Sequence, residues 1–266
     1  MEFVILTYHR VLPQAEVEAI EPGLARRFVT PAEEFAAQMA YLAGRGIRPL
    51  TFAGLRAILR NGAAGPRRAL LLTFDDGRED HFRVVRPILQ EHGLKATFFL
   101  ITGLMGQPGY LTWEQAAKLK AAGMEIGSHT NTHPRLDGLG AAEAEREFTL
   151  SQAAITERLG GPALAMSLPH GRGARWLNGE ARVPYEFVCT SRLGVNTEAT
   201  PLRALRRLPL RHGDPMSRFA AFAEADRAVI RRAQMGQALI DLGKATLSPG
   251  VYGHLRRLWL RGGGAG

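Results

Sequence analysis

The chain has 266 residues, 45% of them hydrophobic, with 30 glycines, 15 prolines and one cysteine, which is enough for one large domain with a filled core and excludes an intrachain disulfide. Its formal net charge of +9 comes from 34 Lys and Arg against 25 Asp and Glu. No aromatic stacking motif or recognition helix accompanies the basic runs, so no nucleic-acid partner is expected.

The opening MEFVILTYHRV has no basic segment before its short apolar run, unlike a signal peptide. No uncharged apolar stretch approaches the roughly 20 residues that cross a bilayer, so a cytoplasmic location is expected. FVILTYH reads as a first strand. Thr30-Pro31-Ala32-Glu33 then fits a capping box with proline at the first helical position, and Phe35, Met39 and Leu42 give the following helix an apolar face. IRPL suggests a second strand. ALLLTF reads as a third, followed by a helix through Val85, Ile88 and Leu89 that Gly93 closes. ATFFLIT, a helix opened by Thr112 with Gln115, and the strand MEIGSH come next. An amphipathic helix from about Ala141 to Leu159 is stopped by Gly160-Gly161-Pro162, and ALAMSL, EFVCTS and ALRRLPL supply further strands. Cys189, inside an apolar run, reads as a buried packing residue. His81, His92 and His254 read as surface residues, and His9 as a histidine held within the mouth of the fold.

Repeated strand-then-helix units imply a parallel sheet, and about seven of them in one domain favour a closed barrel, with active groups at the carboxyl ends of the strands. The candidate chemistry falls there. ALLLTF ends in Asp75 and Asp76, and MEIGSH hands over His129, with His133 four residues on and Pro134 helping to end the turn. Two imidazoles and one carboxylate offer a divalent metal three ligands and leave positions open for water and substrate, the pattern of a catalytic site. The second carboxylate is then available to take a proton. Zinc suits this donor set best, with cobalt, nickel or iron also compatible.

TFDDG, SHTNTH and LPHGRG, in that order, resemble the successive motifs of the polysaccharide deacetylase family, the NodB-homology carbohydrate esterases. The segments ILTYHRVLP, FVTPAEEFAAQMAYLAGRGI and LKATFFLITG resemble its exopolysaccharide and poly-N-acetylglucosamine deacetylase branch, and the resemblance runs from Phe3 to about Arg218. It implies a distorted (β/α)7-type barrel as the catalytic domain, residues 1–216, followed by a basic helical extension over 217–266. It also implies a metal triad of Asp76, His129 and His133, with Asp75 as the general base that deprotonates the attacking water. The His170 backbone N–H, in a position usually held by tyrosine, is implied as an oxyanion donor. Ser167 and Leu168 stand where relatives often carry an arginine or tyrosine near the base, and Arg207 is chosen over Arg206 as the substitute that keeps Asp75 charged. Leu210-Arg211-His212 fits the family's short L-x-H pattern, in which the histidine protonates the leaving amine.

The expected activity is metal-dependent removal of N-acetyl groups from amino sugars of the N-acetylglucosamine type, in a polysaccharide or a glycan precursor. Two alternatives are an amidohydrolase acting on a small cyclic amide and a catalytically impaired glycan-binding relative. Beyond about Ser217 one or two amphipathic helices are expected. Leu255, Leu258, Trp259 and Leu260 with neighbouring arginines would then rest peripherally on an anionic membrane.

Overall fold

A computed structural model describes residues 1–61, 66–171, 176 and 179–246. Its strands are β1 (Glu2–Tyr8), β2 (Arg10–Leu12), β3 (Val29–Pro31), β4 (Arg68–Phe74), β5 (Thr97–Leu100), β6 (Glu125–Ser128), β7 (Ala165–Ser167), β8 (Phe187–Cys189), β9 (Asn196–Thr197) and β10 (Leu208–Pro209). Its α-helices are α1 (Gln14–Glu18), α2 (Leu24–Arg27), α3 (Ala32–Gly44), α4 (Phe52–Asn61), α5 (Arg86–Glu91), α6 (Trp113–Ala121), α7 (Ala141–Leu159), α8 (Met216–Ala223) and α9 (Arg227–Thr246).

Seven strands run in the order β10-β1-β4-β5-β6-β7-β8, with every pairing along the path parallel. The last connection spans the seam of this curled sheet. Leu205 bridges Cys189 beside β8, and three residues later Leu208 pairs with Leu6 of β1. This is the distorted barrel of parallel strands and covering helices expected from the sequence, with helices at its C-terminal end. Because the strands are parallel, their carboxyl ends open on one rim, and that rim receives the residues following β1, β4, β6, β7 and β10.

The strands alternate two apolar faces, and each face has its own core. Val4, Leu6, Tyr8, Leu70, Leu72, Phe74, Phe98 and Leu100 pack under α3, α5, α6 and α7, whereas Phe3, Ile5, Leu71, Phe99 and Phe187 form the second cluster with Phe52 and Leu55 of α4. Phe74 stacks on Tyr8 at 5.1 Å and on Phe98 at 5.0 Å; such pairs contribute about 0.5–1.5 kcal/mol each beyond their burial. This aromatic column lies directly beneath the residues that leave β4. Gly127 allows the β5–β6 approach, since a Cβ there would run into the Phe99 ring and come within 2.9 Å of the Ala165 carbonyl.

Several local expectations need correction. IRPL forms only an isolated bridge, Leu50 to Leu71. Thr30 and Pro31 belong to the short strand β3, which pairs with β2, so Pro31 occupies the N-cap of α3 without a side-chain cap. Phe35, Met39 and Leu42 nonetheless form the buried face of α3. His81 is fully buried, because a π-turn at His81–Val85 precedes Pro87 and rolls it under the rim. His92 is partly exposed and His254 lies outside the described residues.

Other boundaries coincide with the expectation. Thr112 and Gln115 make the capping box of α6, α7 spans Ala141–Leu159 and ends at left-handed Gly160, and Cys189 is buried with its thiol pushed up to about 12 by that burial. The division expected at residue 216 falls at the first residue of α8, whose Phe219 and Phe222 are buried in the larger core cluster. Leu255, Leu258, Trp259 and Leu260 lie outside the described residues.

Candidate active site

Asp75 leaves β4 with its N–H bonded to the Tyr8 carbonyl at 3.0 Å, which fixes the carboxylate inside the rim. Both of its oxygens are engaged. Arg207, just before β10, donates from Nη1 to Oδ1 at 2.8 Å, and the Ser167 hydroxyl at the end of β7 donates to Oδ2 at 3.1 Å. Arg207 is itself buried, with Nε donating to the Thr190 carbonyl at 3.1 Å. Burial works to raise the Asp75 pKa, but the charges of Arg207 and His129 and the Arg207 hydrogen bond outweigh it, and the carboxyl is held at about 2. Arg207, 132 residues away in sequence, thus keeps Asp75 ionised.

Asp76 turns back toward the adjacent strand ends in a left-handed conformation, φ 76°. Its Oδ1 lies 3.4 Å from His129 Nε2 and 3.8 Å from His133 Nε2. One donor atom from each of Asp76, His129 and His133 falls within 4.8 Å of the others. His129 Nδ1 lies 2.8 Å from the Ser167 carbonyl. That oxygen only accepts, so Nδ1 carries a proton, and Nε2 is the ring nitrogen turned toward Asp76. Burial works to lower the His129 pKa, but the Asp75 and Asp76 carboxylates raise it on balance. Burial first, and then the His129 charge, bring His133 down to about 4, so its imidazole is neutral over the ordinary working range. Burial also opposes ionisation of Asp76, but its histidine neighbours, His129 foremost, hold its carboxyl well below the usual range. A carboxylate, a neutral imidazole and a second imidazole whose Nε2 is already turned toward them make a donor set that fits a divalent cation.

Five non-glycine residues among those described have positive φ, and four of them border this centre: Asp76, Thr130, His133 and His170. Each such conformation costs on the order of 1–3 kcal/mol, and conformations of this kind cluster at functional sites. No sequence pattern announced them. His170, exposed, follows buried Pro169, with its ring centroid 4.7 Å from that of His133. Of the loop 171–183, residues 172–175, 177 and 178 lie outside the described residues.

His212 is half-buried beyond β10; its N–H donates to the Arg27 carbonyl at 3.0 Å, and its Nδ1 is buried without a partner among the described residues. His9 packs on Phe28 at 4.7 Å, and its carbonyl faces the ring nitrogen of His81. Its own Nδ1 is likewise buried without a partner among the described residues. The sequence therefore located Asp75, Asp76, His129, His133 and Arg207, which the structure brings together, and His170 at their edge. It did not anticipate the Ser167 hydroxyl as a partner of Asp75, nor the hold that Glu147 of α7 has on the turn between the two histidines.

Comparison with known proteins gives one family. The polysaccharide deacetylase family model matches residues 62–186. A putative polysaccharide deacetylase of Bacillus subtilis (strain 168), YxkH, is 29% identical over 215 residues, covering 80% of this chain and 76% of the relative. A poly-beta-1,6-N-acetyl-D-glucosamine N-deacetylase of Escherichia coli (strain K12) is 28% identical over 149 residues, 49% of this chain but only 21% of that protein. Among solved structures, the Streptococcus pyogenes deacetylase PplD in complex with acetate superposes with a TM-score of 0.73 at 27% identity, covering 80% of this chain and 94% of that one.

Proposed function

We propose, for a chain that belongs to the polysaccharide deacetylase family, that it removes N-acetyl groups from N-acetylglucosamine-type residues of a glycan or glycan precursor. The observation that carries this reading is the juxtaposition of a buried, ionised carboxylate, Asp75, with the three donors of Asp76, His129 and His133 on one rim. Asp76, His129 and His133 would hold a divalent cation, with zinc proposed, which when bound supplies Lewis acidity toward the acetamide carbonyl and the attacking water.

The rest follows from this chain's own residues. Arg207 and Ser167 each take one lone pair of Asp75, leaving the others to accept a hydrogen bond from a water molecule. Asp75, ionised above about pH 2, takes the proton as that water attacks the acetyl carbon. Arg207 limits how strong a base Asp75 can be, and in exchange fixes its orientation in a buried site. His170, beside His133, is assigned the backbone N–H that meets the oxyanion, and His212 the proton for the departing amine; either loss should lower turnover. Collapse of the tetrahedral intermediate breaks the C–N bond and leaves acetate and a free amino sugar.

Among the described residues no helix is long and apolar enough to cross a membrane. The cytoplasmic location and the peripheral contact of the basic C-terminal segment with anionic lipid are proposals, to be tested by cell fractionation and by liposome co-sedimentation with and without residues 249–266. The catalytic proposal is tested by acetate release from β-1,4- and β-1,6-linked N-acetylglucosamine oligomers after zinc reconstitution. Release from one linkage and not the other assigns the substrate. Silence on both, with zinc bound, contradicts the reading.

A further inference from the structure

The turn Thr130–His133 sets the spacing of the two imidazoles, and it is an unfavourable piece of backbone, with φ of 66° at Thr130 and 61° at His133. Neither residue is glycine, so something must hold the chain there. Part of the hold is local: Ser128 Oγ accepts from the Thr130 N–H and Thr130 Oγ1 accepts from the His133 N–H, both at 3.1 Å. Part comes from the β5 side, where the N–H groups of Thr102 and Gly103 donate to the carbonyls of Thr130 and Asn131 at 3.1 and 2.8 Å.

The remaining amides all go to one side chain. Glu147 of α7 accepts from the Asn131 N–H at 2.9 Å, the Thr132 N–H at 2.8 Å and the Thr132 hydroxyl at 2.7 Å. Two successive N–H groups pointing at one carboxylate form an anion-binding concavity, and here the anion is part of the protein. One helical turn further on, Ser151 of α7 meets Ser128 Oγ at 2.7 Å, so the helix grips the stretch from below at two points. The helix is in turn anchored by buried Ala144, Phe148 and Ile155.

We propose that Glu147 is a positioning residue of the metal centre. Its carboxylate locks the Asn131–Thr132 backbone and thereby the separation of His129 and His133. This rests on the reading of Asp76, His129 and His133 as metal ligands. Both N–H groups converge on Oε2, whereas Oε1 meets only the rotatable Thr132 hydroxyl. An amide could keep all three contacts by accepting both N–H groups and donating to the hydroxyl, but it lacks the charge that the two N–H dipoles face, so Glu147→Gln isolates the charge and Glu147→Ala removes the contacts.

The test is zinc affinity by competition with a chromophoric chelator, on the full chain, for wild type, Glu147→Gln, Glu147→Asp, Glu147→Ala and a control on the same helix, Glu145→Ala, whose carboxylate accepts from the Arg182 N–H in the loop before β8. Loss of a group hydrogen-bonded directly to a metal ligand weakens binding roughly 10–100-fold, which is the upper range for Glu147, acting through the backbone between two ligands. Glu147→Ala should approach that range, Glu147→Gln and Glu147→Asp should each bind more tightly than Glu147→Ala but more weakly than wild type, and Glu145→Ala should match wild type. If Glu147→Ala does not fold, the Gln and Asp variants still decide, with amide hydrogen exchange at Asn131 and Thr132 in the zinc-free protein as the second readout. Faster exchange there, with α7 unchanged, is expected. Zinc binding by wild type that the Glu147 variants equal overturns the inference alone. No zinc binding by wild type overturns the metal-site reading and the inference with it.

Discussion

Replacing Arg207 by methionine removes the charged group that, among the described residues, hydrogen-bonds Asp75, and leaves a buried carboxylate without its ion pair. Breaking a buried ion pair from one side costs about 3–5 kcal/mol. Part of that cost depends on pH, and the direction can be worked out. In the wild type the Asp75 carboxyl is depressed from 3.8 to about 2, so ionisation contributes roughly 2 kcal/mol that is present above the unfolded pKa and is lost as pH falls through the folded one. In the Arg207→Met variant burial, the largest influence on Asp75 and an upward one, is no longer offset by Arg207, and the carboxyl titrates above its ordinary range. Stability then improves on acidification instead of declining. Urea denaturation of chelator-treated protein should show a gap between wild type and variant of about 3–5 kcal/mol at pH 7 that narrows toward pH 4. The acid limb of kcat/KM should move to higher pH in the same variant. A gap under about 1 kcal/mol at pH 7, in the range of an ordinary exposed pair, or a gap of equal size at both pH values, would refute the claim that Arg207 sets the charge of Asp75.

Gly127→Ala should destabilise by about 1–3 kcal/mol, read as a lower urea midpoint, because the added methyl meets the Phe99 ring and the Ala165 carbonyl; an unchanged midpoint contradicts the packing described for β5 and β6. Zinc at about 100 times its dissociation constant should stabilise the native chain by about 2.7 kcal/mol, raising Tm by roughly 5–10 °C in calorimetry. An Asp76→Ala variant should show no such rise, and a rise equal to wild type would place the ion elsewhere. His212→Asn should lower kcat by about 10²-fold or more if His212 protonates the amine, with KM little changed; a change in KM alone would make it a substrate contact.

The parts of the site that were legible in the sequence are those that travel on a single strand end. Asp75 and Asp76 terminate an apolar run, and His129 terminates another, so periodicity alone places them on one rim. Gly160 marks the end of α7 for an equally local reason, its left-handed φ of 72°. What was illegible depends on partners distant in sequence or on backbone that no residue type announces. His81 reads as a surface residue, and the π-helical turn His81–Val85 places it inside instead. IRPL has the composition of a strand, yet it meets β4 at one residue. Arg206 and Arg207 are adjacent and chemically alike; their alternate directions near β10 leave Arg206 exposed and Arg207 buried on Asp75. Glu147 sits within a charged helix sequence, and its role depends on two amides that the turn happens to align.

The central claim is that this rim hydrolyses an N-acetyl group with Asp75 as the base. Its most direct measurement is the paired time course of acetate and free amine from an N-acetylglucosamine oligomer, with zinc-loaded wild type beside zinc-loaded Asp75→Asn. The account predicts equimolar products from wild type and a loss of about 10²–10⁴-fold in kcat for the variant, with zinc affinity within a few-fold of wild type. Equal rates for the two proteins would contradict it.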